Sequence, residues 1–304
     1  MTATVLDPSQ IAAEYRLRVR DAVTALAQDG RTLRIVGLLA QETGPAATYA
    51  RYAQRGATDV GVTMDVRHIA PDAAPQAIAE LNLDASVDGV FLYYPMLDVT
   101  QDRWLRELVD PRKDVEGMHS FWSRLLYENT RFLDEEHAQR AILPCTPLAI
   151  LKLLQHAGMR GNGDAAPLEG LTACVINRSE IVGRPLSAML ANDGARVYSL
   201  DLTGTQILEP AIGRRAHDVR DSDATRAEAL AAADVVITGV PSPSFERVRG
   251  DEIKPAAICV NFASVENFDD SILEVASVFV PRVGPLTVAM AMRNLTRLAT
   301  MNLR

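Results

Sequence analysis

A chain of 304 residues, 48% of them hydrophobic, is long enough to bury a substantial core and to divide into two domains. Its formal net charge of −8, with no local run of basic residues, argues against a nucleic-acid or anionic-membrane surface. Apolar windows end before a spanning length, the first residues lack a basic segment leading into an apolar one, and Cys145, Cys174 and Cys259 are too scattered for a disulfide framework or a zinc site; a reduced, cytoplasmic setting without metal is expected.

The first half alternates. Helical spacing runs from Pro8 to Gln28, an apolar strand from Leu33 to Leu39, and a helix from Ala46 to Arg55. A strand from Gly61 to Ile69, a helix from Ala73 to Leu83, a strand from Gly89 to Tyr94 and a helix from Gln101 to Val109 follow. This alternation predicts a parallel sheet with helices on both faces. An irregular stretch from Lys113 to Ile142 leads to Pro144-Cys145-Thr146-Pro147, where Thr146 is the predicted N-cap of a helix to about His156. Strands are predicted at Val235–Thr238, Ala257–Asn261 and Val278–Val280. The stretch from Gly204 to Thr225 is polar and loop-like and has no assigned element, and a long helix from Pro285 to Met301 comes too late for another crossover, so it is expected to return to the first domain. No internal repeat is present.

The stretch from Leu171 to Asp201 carries the most chemistry. An apolar run (Ala173 to Ile176), a turn through Asn177-Arg178-Ser179, a periodic segment (Ile181 to Leu190) and a second apolar run ending on Asp201 give the order of a dinucleotide-binding βαβ unit. There, helix N–H groups and the positive dipole end hold a pyrophosphate, and the terminal acid accepts hydrogen bonds from ribose hydroxyls. The GxGxxG fingerprint is absent: Asn177 stands where its first glycine belongs, and only Gly183 remains near the helix. Spacing alone is equally compatible with a ligand-free βαβ unit.

Four strings, KDVEG, LPCTPLAI, SEIVGRP and VGPLTVAM, occur in the order found in methylenetetrahydrofolate dehydrogenases, and the chain from about Gly37 to Leu298 resembles that family. Tyr93-Tyr94-Pro95, KDVEG and INRSEIVGRP look closest to its NAD-dependent, monofunctional, fungal-type members. The resemblance implies an α/β chain of two domains. One, residues 1–145 with the C-terminal helix 286–304, is a folate-binding catalytic domain; the other, residues 146–285, is a Rossmann-type NAD-binding domain. It implies a homodimer, NAD as cofactor and a tetrahydrofolate derivative as substrate. By position, Tyr49, Glu116 and Cys145 are the implied catalytic-site residues, with Tyr93 and Pro285 also against the folate. Arg178, Ser179, Gly183, Asp201, Leu202, Gly239, Val240, Phe262, Ala263 and Ser264 are implied on the cofactor side.

Departures from the family pattern are informative. The bifunctional members' Tyr-x-x-x-Lys pattern reads Tyr49 to Ala53 here, and no lysine precedes Lys113. Arg51 and Arg55 cannot substitute, because a guanidinium stays protonated. Tyr93 replaces the family's glutamine. Cyclohydrolase activity, which needs proton transfer, is therefore expected to be lost or very weak. Asp201 would repel the 2′-phosphate of NADP, although the family's NADP users employ the arginine matching Arg178 on that phosphate. The glycine pair usual before VGP is reduced to Arg282. Cys145 is expected to line the site without acting as a nucleophile, Cys174 and Cys259 to sit in core strands, and His119 and His137 to lie at the surface. A bifunctional enzyme, a dehydrogenase for another methylene-pterin carrier and a non-catalytic folate- or nucleotide-binding protein remain open alternatives.

Overall fold

A computed structural model describes residues 2–136, 138–163, 166–211 and 216–301; His137 lies outside them. The elements in chain order are β1 (Thr4–Val5), α1 (Pro8–Gln28), β2 (Arg34–Leu39), α2 (Pro45–Asp59), β3 (Thr63–His68), α3 (Ala74–Leu83), β4 (Gly89–Tyr93), α4 (Val99–Leu108) and α5 (Ser120–Tyr127). There follow β5 (Phe132–Asp134), β6 (Gln139–Arg140), α6 (Cys145–His156), β7 (Thr172–Ile176), α7 (Gly183–Asn192), β8 (Arg196–Asp201), β9 (Gly204–Ala211), β10 (Ala216–Ser222), α8 (Arg226–Ala232), β11 (Val235–Thr238), β12 (Ile258–Asn261), β13 (Val278–Val280) and α9 (Gly284–Thr300). Boundaries shift where caps decide them. Asp98 accepts hydrogen bonds from the N–H groups of Thr100 and Gln101, so α4 starts earlier than its apolar spacing suggests. Helix α6 begins at Cys145, which leaves Thr146, the predicted cap, inside its first turn.

The chain divides into two compact units: residues 1–11, 126–130 and 146–286 in one, residues 12–125, 131–145 and 287–304 in the other. The first unit is built on a sheet of order β1-β13-β12-β11-β7-β8-β9-β10. Pairing is parallel from β1 through β8. Strands β7, β11 and β12 are nearly continuous runs of valine, isoleucine, alanine and cysteine and are buried along almost their whole length, as a parallel strand covered on both faces requires. Cys174 and Cys259 are fully buried in these strands. The connection from β7 goes to β8 on one side, while β11, β12 and β13 extend on the other. Strand order therefore reverses between β7 and β11, the place where open α/β sheets bind ligands.

Two features of this unit correct the sequence reading. Residues 204–211 and 216–222 are strands and not loop: β9 pairs antiparallel with β8 and with β10 to extend the sheet. The strand at Thr4–Val5 pairs with β13, so the first eleven residues group with this unit and not with the remainder of residues 1–145.

The second unit centres on the parallel sheet β3-β2-β4. Ala46, Ala47, Ala50, Ala53 and Ala57 form the buried face of α2, and their small side chains let that helix lie close to its neighbours. Beside β4 runs the segment containing Lys113 to Val115, held by the Val90 N–H donating to the Lys113 carbonyl at 2.8 Å. Trp122, fully buried, anchors α5, and its indole N–H donates to the Pro111 carbonyl at 3.0 Å.

Residues of α9 from Thr287 belong to this unit. Its Asn294 is fully buried, and its amide nitrogen donates to the carbonyls of Val115 (3.0 Å) and Leu143 (2.9 Å). One side chain thus ties together two loops far apart in sequence. Asn294→Leu keeps the volume and leaves those bonds unmade. We expect it to lower unfolding stability by about 2 to 4 kcal/mol, read by urea denaturation.

Candidate active site

Aromatic residues from two elements meet at the carboxyl end of β4. The Phe91 and Tyr93 rings stack at 4.7 Å and 23°, and Tyr49 on α2 stands edge-on to Tyr93 at 6.0 Å and 77°. Room for Tyr93 comes from Gly37 on β2, where a Cβ would approach the Tyr93 Cε2 to 2.7 Å. Tyr49 is half-buried, while Tyr93 is buried and its hydroxyl has no hydrogen-bond partner among the described residues. Burial pushes both phenols well above their ordinary range, and the nearby Glu116 adds to it.

Glu116 reaches the same place from the segment beside β4. Its Oε2 accepts from the Leu92 N–H at 3.2 Å. Asp114, two residues earlier, is buried and accepts four backbone N–H bonds, from Glu116 (3.1 Å), Gly117 (3.0 Å), Met118 (2.7 Å) and His119 (2.7 Å). That carboxylate shapes the turn which presents Glu116. Burial raises both groups, but four N–H donors stabilise charge on Asp114. The proton therefore rests on Glu116, which is pushed up to about 8 by burial and then by Asp114, against smaller opposing effects of the Leu92 N–H and Arg106.

Cys145 opens α6 beneath this segment. Its thiol is buried, donates to the Val115 carbonyl at 3.2 Å, and receives the Asn294 amide at 3.4 Å. A helix N-terminus alone would favour a thiolate. Here burial, Glu116 and Asp114 push the thiol well above its usual range, so it stays protonated. Cys145→Ala is expected to retain kcat within about threefold, against the loss of about a hundredfold or more that follows removal of an acid–base group. Steady-state rates of the purified variant test this.

Lys113 in KDVEG is occupied elsewhere: its amine donates to the carbonyls of Leu81 (2.8 Å) and Asp84 (2.7 Å), closing the end of α3. Ala53, one turn after Tyr49, is fully buried. His119 is partly buried rather than at the surface; its Nδ1 accepts from the Phe121 N–H at 2.9 Å and caps α5. Tyr49, Tyr93, Glu116 and Cys145 are thus gathered in the second unit. Pro285 is buried in the first turn of α9.

The implied cofactor residues gather at the carboxyl ends of β7, β8, β11 and β12 in the first unit. Asn177 follows β7 with φ at 107°, the left-handed region the missing glycine would have served. Asparagine tolerates positive φ better than most residues, and this one is held on both sides. Its Nδ2 donates to the Gly239 carbonyl at 2.6 Å, across the point where strand order reverses, and its Oδ1 accepts from the Ser179 N–H at 2.8 Å. The Ser179 hydroxyl accepts from the Gly183 N–H at 3.3 Å. A Cβ at Gly183 would collide with the Asn177 carbonyl oxygen, so glycine is needed for the helix to start this close to the loop.

Asp201 ends β8 with its side chain exposed, accepting the N–H groups of Arg178 (2.8 Å) and Leu202 (2.6 Å). The Arg178 guanidinium is not pointed at an empty anion site. It donates to the carbonyls of Ser199 (2.6 Å) and Gly204 (2.7 Å), with longer contacts to the Ser199 and Thr203 hydroxyls. It fastens the β8–β9 turn. Leu202 is fully exposed.

Two buried asparagines that the sequence reading missed set the remaining loops. Asn267 accepts from the Thr238 hydroxyl (2.6 Å) and the Val240 N–H (2.7 Å) and donates to the Val240 carbonyl (3.0 Å), fixing Gly239-Val240. Asn261 donates to the Val265 carbonyl (3.0 Å) and accepts from the Ala263 N–H (3.3 Å), fixing Phe262-Ala263-Ser264. A Cβ at Gly239 would run into the Phe262 ring, so these two loops pack on each other. An amide residue closing an apolar strand, as in ICVN, was the available signal. Arg282 makes a long, exposed pairing with Asp7 at 3.9 Å.

A parallel sheet reversing at β7/β11, a glycine-dependent helix start there and an acid closing the next strand define a dinucleotide-binding α/β protein. The chain belongs to the tetrahydrofolate dehydrogenase/cyclohydrolase family: residues 6–116 match its catalytic domain and residues 144–303 its NAD(P)-binding domain. It is 39% identical over 275 residues to methylenetetrahydrofolate dehydrogenase [NAD(+)] of Schizosaccharomyces pombe, covering 89% of this chain and 86% of the relative. To the Saccharomyces cerevisiae protein of the same name it is 40% identical over 279 residues, covering 89% and 87%. The solved structure of the NAD-dependent 5,10-methylenetetrahydrofolate dehydrogenase from Saccharomyces cerevisiae matches with a TM-score of 0.91 at 37% identity, covering 98% of each chain.

Proposed function

We propose that this protein is an NAD-dependent 5,10-methylenetetrahydrofolate dehydrogenase that makes 5,10-methenyltetrahydrofolate and lacks cyclohydrolase activity. The observation that carries the dehydrogenase assignment is the likeness to NAD-dependent enzymes along 89% of the chain. The second unit serves as the folate-binding unit and the first as the NAD-binding unit. The donor set suits NAD: an exposed carboxylate at the end of β8 meets ribose hydroxyls, and Gly183 lets the start of α7 close on the loop after β7. When bound, NAD supplies the hydride acceptor.

The protein has little chemistry to perform. Hydride leaves the methylene carbon with its bonding electron pair, and the lone pairs of the two flanking folate nitrogens delocalise the resulting cation. No proton is transferred, so positioning dominates. Tyr49 and Tyr93 provide an aromatic wall for the pterin, and Glu116 pairs with the N–H groups of its aminopyrimidine edge. The Cys145 thiol stays protonated and fills the floor.

Hydrolysis of the methenyl product is another matter, because water attack needs a proton acceptor. The position four residues after Tyr49, where the bifunctional members carry lysine, is the buried Ala53, and the Lys113 amine is held by the carbonyls of Leu81 and Asp84. Among the described residues no helix is long and apolar enough to cross a membrane, and no group of three or more His, Cys, Asp or Glu is placed to hold a metal ion. A cytoplasmic homodimer completes the proposal; light scattering that returns a monomer overturns the dimer. The deciding experiment supplies methylenetetrahydrofolate with NAD and follows NADH together with methenyl absorbance. Both are expected to rise and the methenyl signal to persist. Decay of that signal faster than in buffer would overturn the loss of cyclohydrolase, and absence of NADH would overturn the dehydrogenase.

A further inference from the structure

Alternation along β4 sends successive side chains to opposite faces of its sheet. Phe91 and Tyr93 meet Tyr49 of α2 on one face. Leu92 and Tyr94, on the other, belong to an apolar layer with Ile78 of α3 and Leu105 of α4. Into that layer α4 also brings a charge. Arg106 is only 8% exposed, and its guanidinium carbon lies 5.9 Å from the centre of the Tyr94 ring. Arg106, Leu92, Tyr94, Asp114 and Glu116 all line one cavity of about 10 Å³, and a space that small keeps the groups around it close together. Glu116 is thus approached from both faces of β4, by the tyrosine wall on one and by Arg106 on the other.

A buried guanidinium is costly unless carboxylates answer it. Those at hand are Asp102, one turn earlier on α4, and Asp114 and Glu116 on the cavity. Backbone N–H groups already engage two of the three: Asp102 accepts from Met96 (3.2 Å) and Leu97 (2.9 Å), and Asp114 from the four residues given above. Glu116 is left to be balanced by its surroundings. Tyr49 from α2, Tyr93 and Tyr94 from β4 and Cys145 from α6 are all kept neutral by burial. His119 acts on Asp114, and Arg293 of α9 on the Cys145 thiol. Burial and then Asp114 oppose charge on Glu116; among the described residues the cation that favours it is Arg106. A guanidinium suits the task, because it stays protonated throughout the range in which carboxyls titrate.

We propose that Arg106 is a positioning residue for the substrate: from the far face of β4 it supports the carboxylate that Glu116 presents to the pterin's aminopyrimidine edge, an assignment that rests on the folate reading above. When pterin N–H groups approach from the tyrosine side, Glu116 must give up its proton, and a fixed positive charge behind it keeps that release attainable near neutrality. Position alone suggests something plainer. Arg106 stands in the last turn of α4, where an arginine ordinarily does no more than match the negative end of the helix dipole. The two roles differ in what they do to the pH dependence of substrate affinity.

The test measures KM and kcat for methylenetetrahydrofolate with NAD from about pH 6 to about pH 10 in the wild type, Arg106→Gln, Arg106→Lys and the double variant Arg106→Gln/Glu116→Gln. We expect Arg106→Gln to raise KM near pH 7 by about fivefold to tenfold and to need about one pH unit more before KM levels. Its kcat should stay within about twofold, because hydride transfer moves no proton. Arg106→Lys keeps the charge and should follow the wild-type profile with KM within about threefold. On the Glu116→Gln background the arginine change should add less than about twofold, since the group through which it acts is already neutral. A KM raised equally at every pH, or an undiminished effect on that background, would make Arg106 a support for the end of α4 and overturn the proposal. If Arg106→Gln does not fold, Arg106→Leu takes its place with the same expectations, because a leucine suits the apolar layer. A wild type that turns over while its pH profile is unmoved by the neutral variants overturns the proposal alone. A wild type with no turnover removes the folate reading and this proposal with it.

Discussion

Asp201→Ser is expected to shift the ratio of kcat/KM for NADP to that for NAD upward by about a hundredfold. At about 4 Å and an effective dielectric near 20, a carboxylate and a phosphate repel by about 4 kcal/mol, and solvent screening at this exposed position reduces that to about 2 to 3 kcal/mol. Serine removes the repulsion and also the acceptor for the ribose hydroxyls, so the two changes add in the ratio. The variant should nevertheless remain a poor NADP enzyme. Arg178, the cation that could meet a 2′-phosphate, is bonded to the carbonyls of Ser199 and Gly204 and holds the β8–β9 turn. Releasing it would leave those carbonyls without their donor. Initial rates with both cofactors at several concentrations decide the matter. A wild type that already prefers NADP, or a variant whose ratio is unchanged, would refute the role given to Asp201.

Arg178 also shows where residue types mislead. In the sequence it competes with Asp201 as a marker of cofactor choice; in the structure both belong to one turn, the arginine fixing the backbone that displays the acid. The absent first glycine is resolved similarly. What the loop needs is a positive φ, and Asn177 supplies it while its amide bridges to Gly239. The conformational requirement is met by a residue that a glycine pattern does not include.

The parallel strands were legible because burial on both faces leaves unbroken apolar runs such as TACVI and VVIT. The β9–β10 pair was not. Strand β10, with the sequence AHDVRDS, lies at the sheet edge with most of its side chains in solvent, so neither an apolar run nor an alternation marks it. The same holds for β1, two exposed residues whose place is set by β13. Glu116, Tyr49 and the segment before α6 were reached through the family resemblance. The buried amides of Asn267 and Asn294 were not, because their partners lie in segments distant in sequence, and only the fold brings donor and acceptor together.

Glu116→Gln should lower kcat/KM for methylenetetrahydrofolate by about a hundredfold, an effect carried mainly by KM because the lost contact is a charge-assisted pair to the pterin edge. The pH dependence separates this role from a merely structural one. Glu116 is pushed up to about 8 in the free protein, so near neutrality it is largely protonated, whereas the aminopyrimidine N–H groups prefer the carboxylate. Binding must therefore release a proton, and KM should fall as pH rises from 6 toward 8.5 and then level. The glutamine variant should show neither the slope nor the proton release, the latter read by calorimetry in buffers of different ionisation enthalpy. Stability runs the other way. A carboxyl whose folded value lies above its unfolded value binds more protons in the native state, so its contribution is complete below about 4.5 and is lost as pH climbs through about 8. The free enzyme should thus lose thermal stability over the same interval in which it gains affinity, and Glu116→Gln should flatten both curves together. If the variant alters only the stability curve, Glu116 holds the loop and does not touch the pterin.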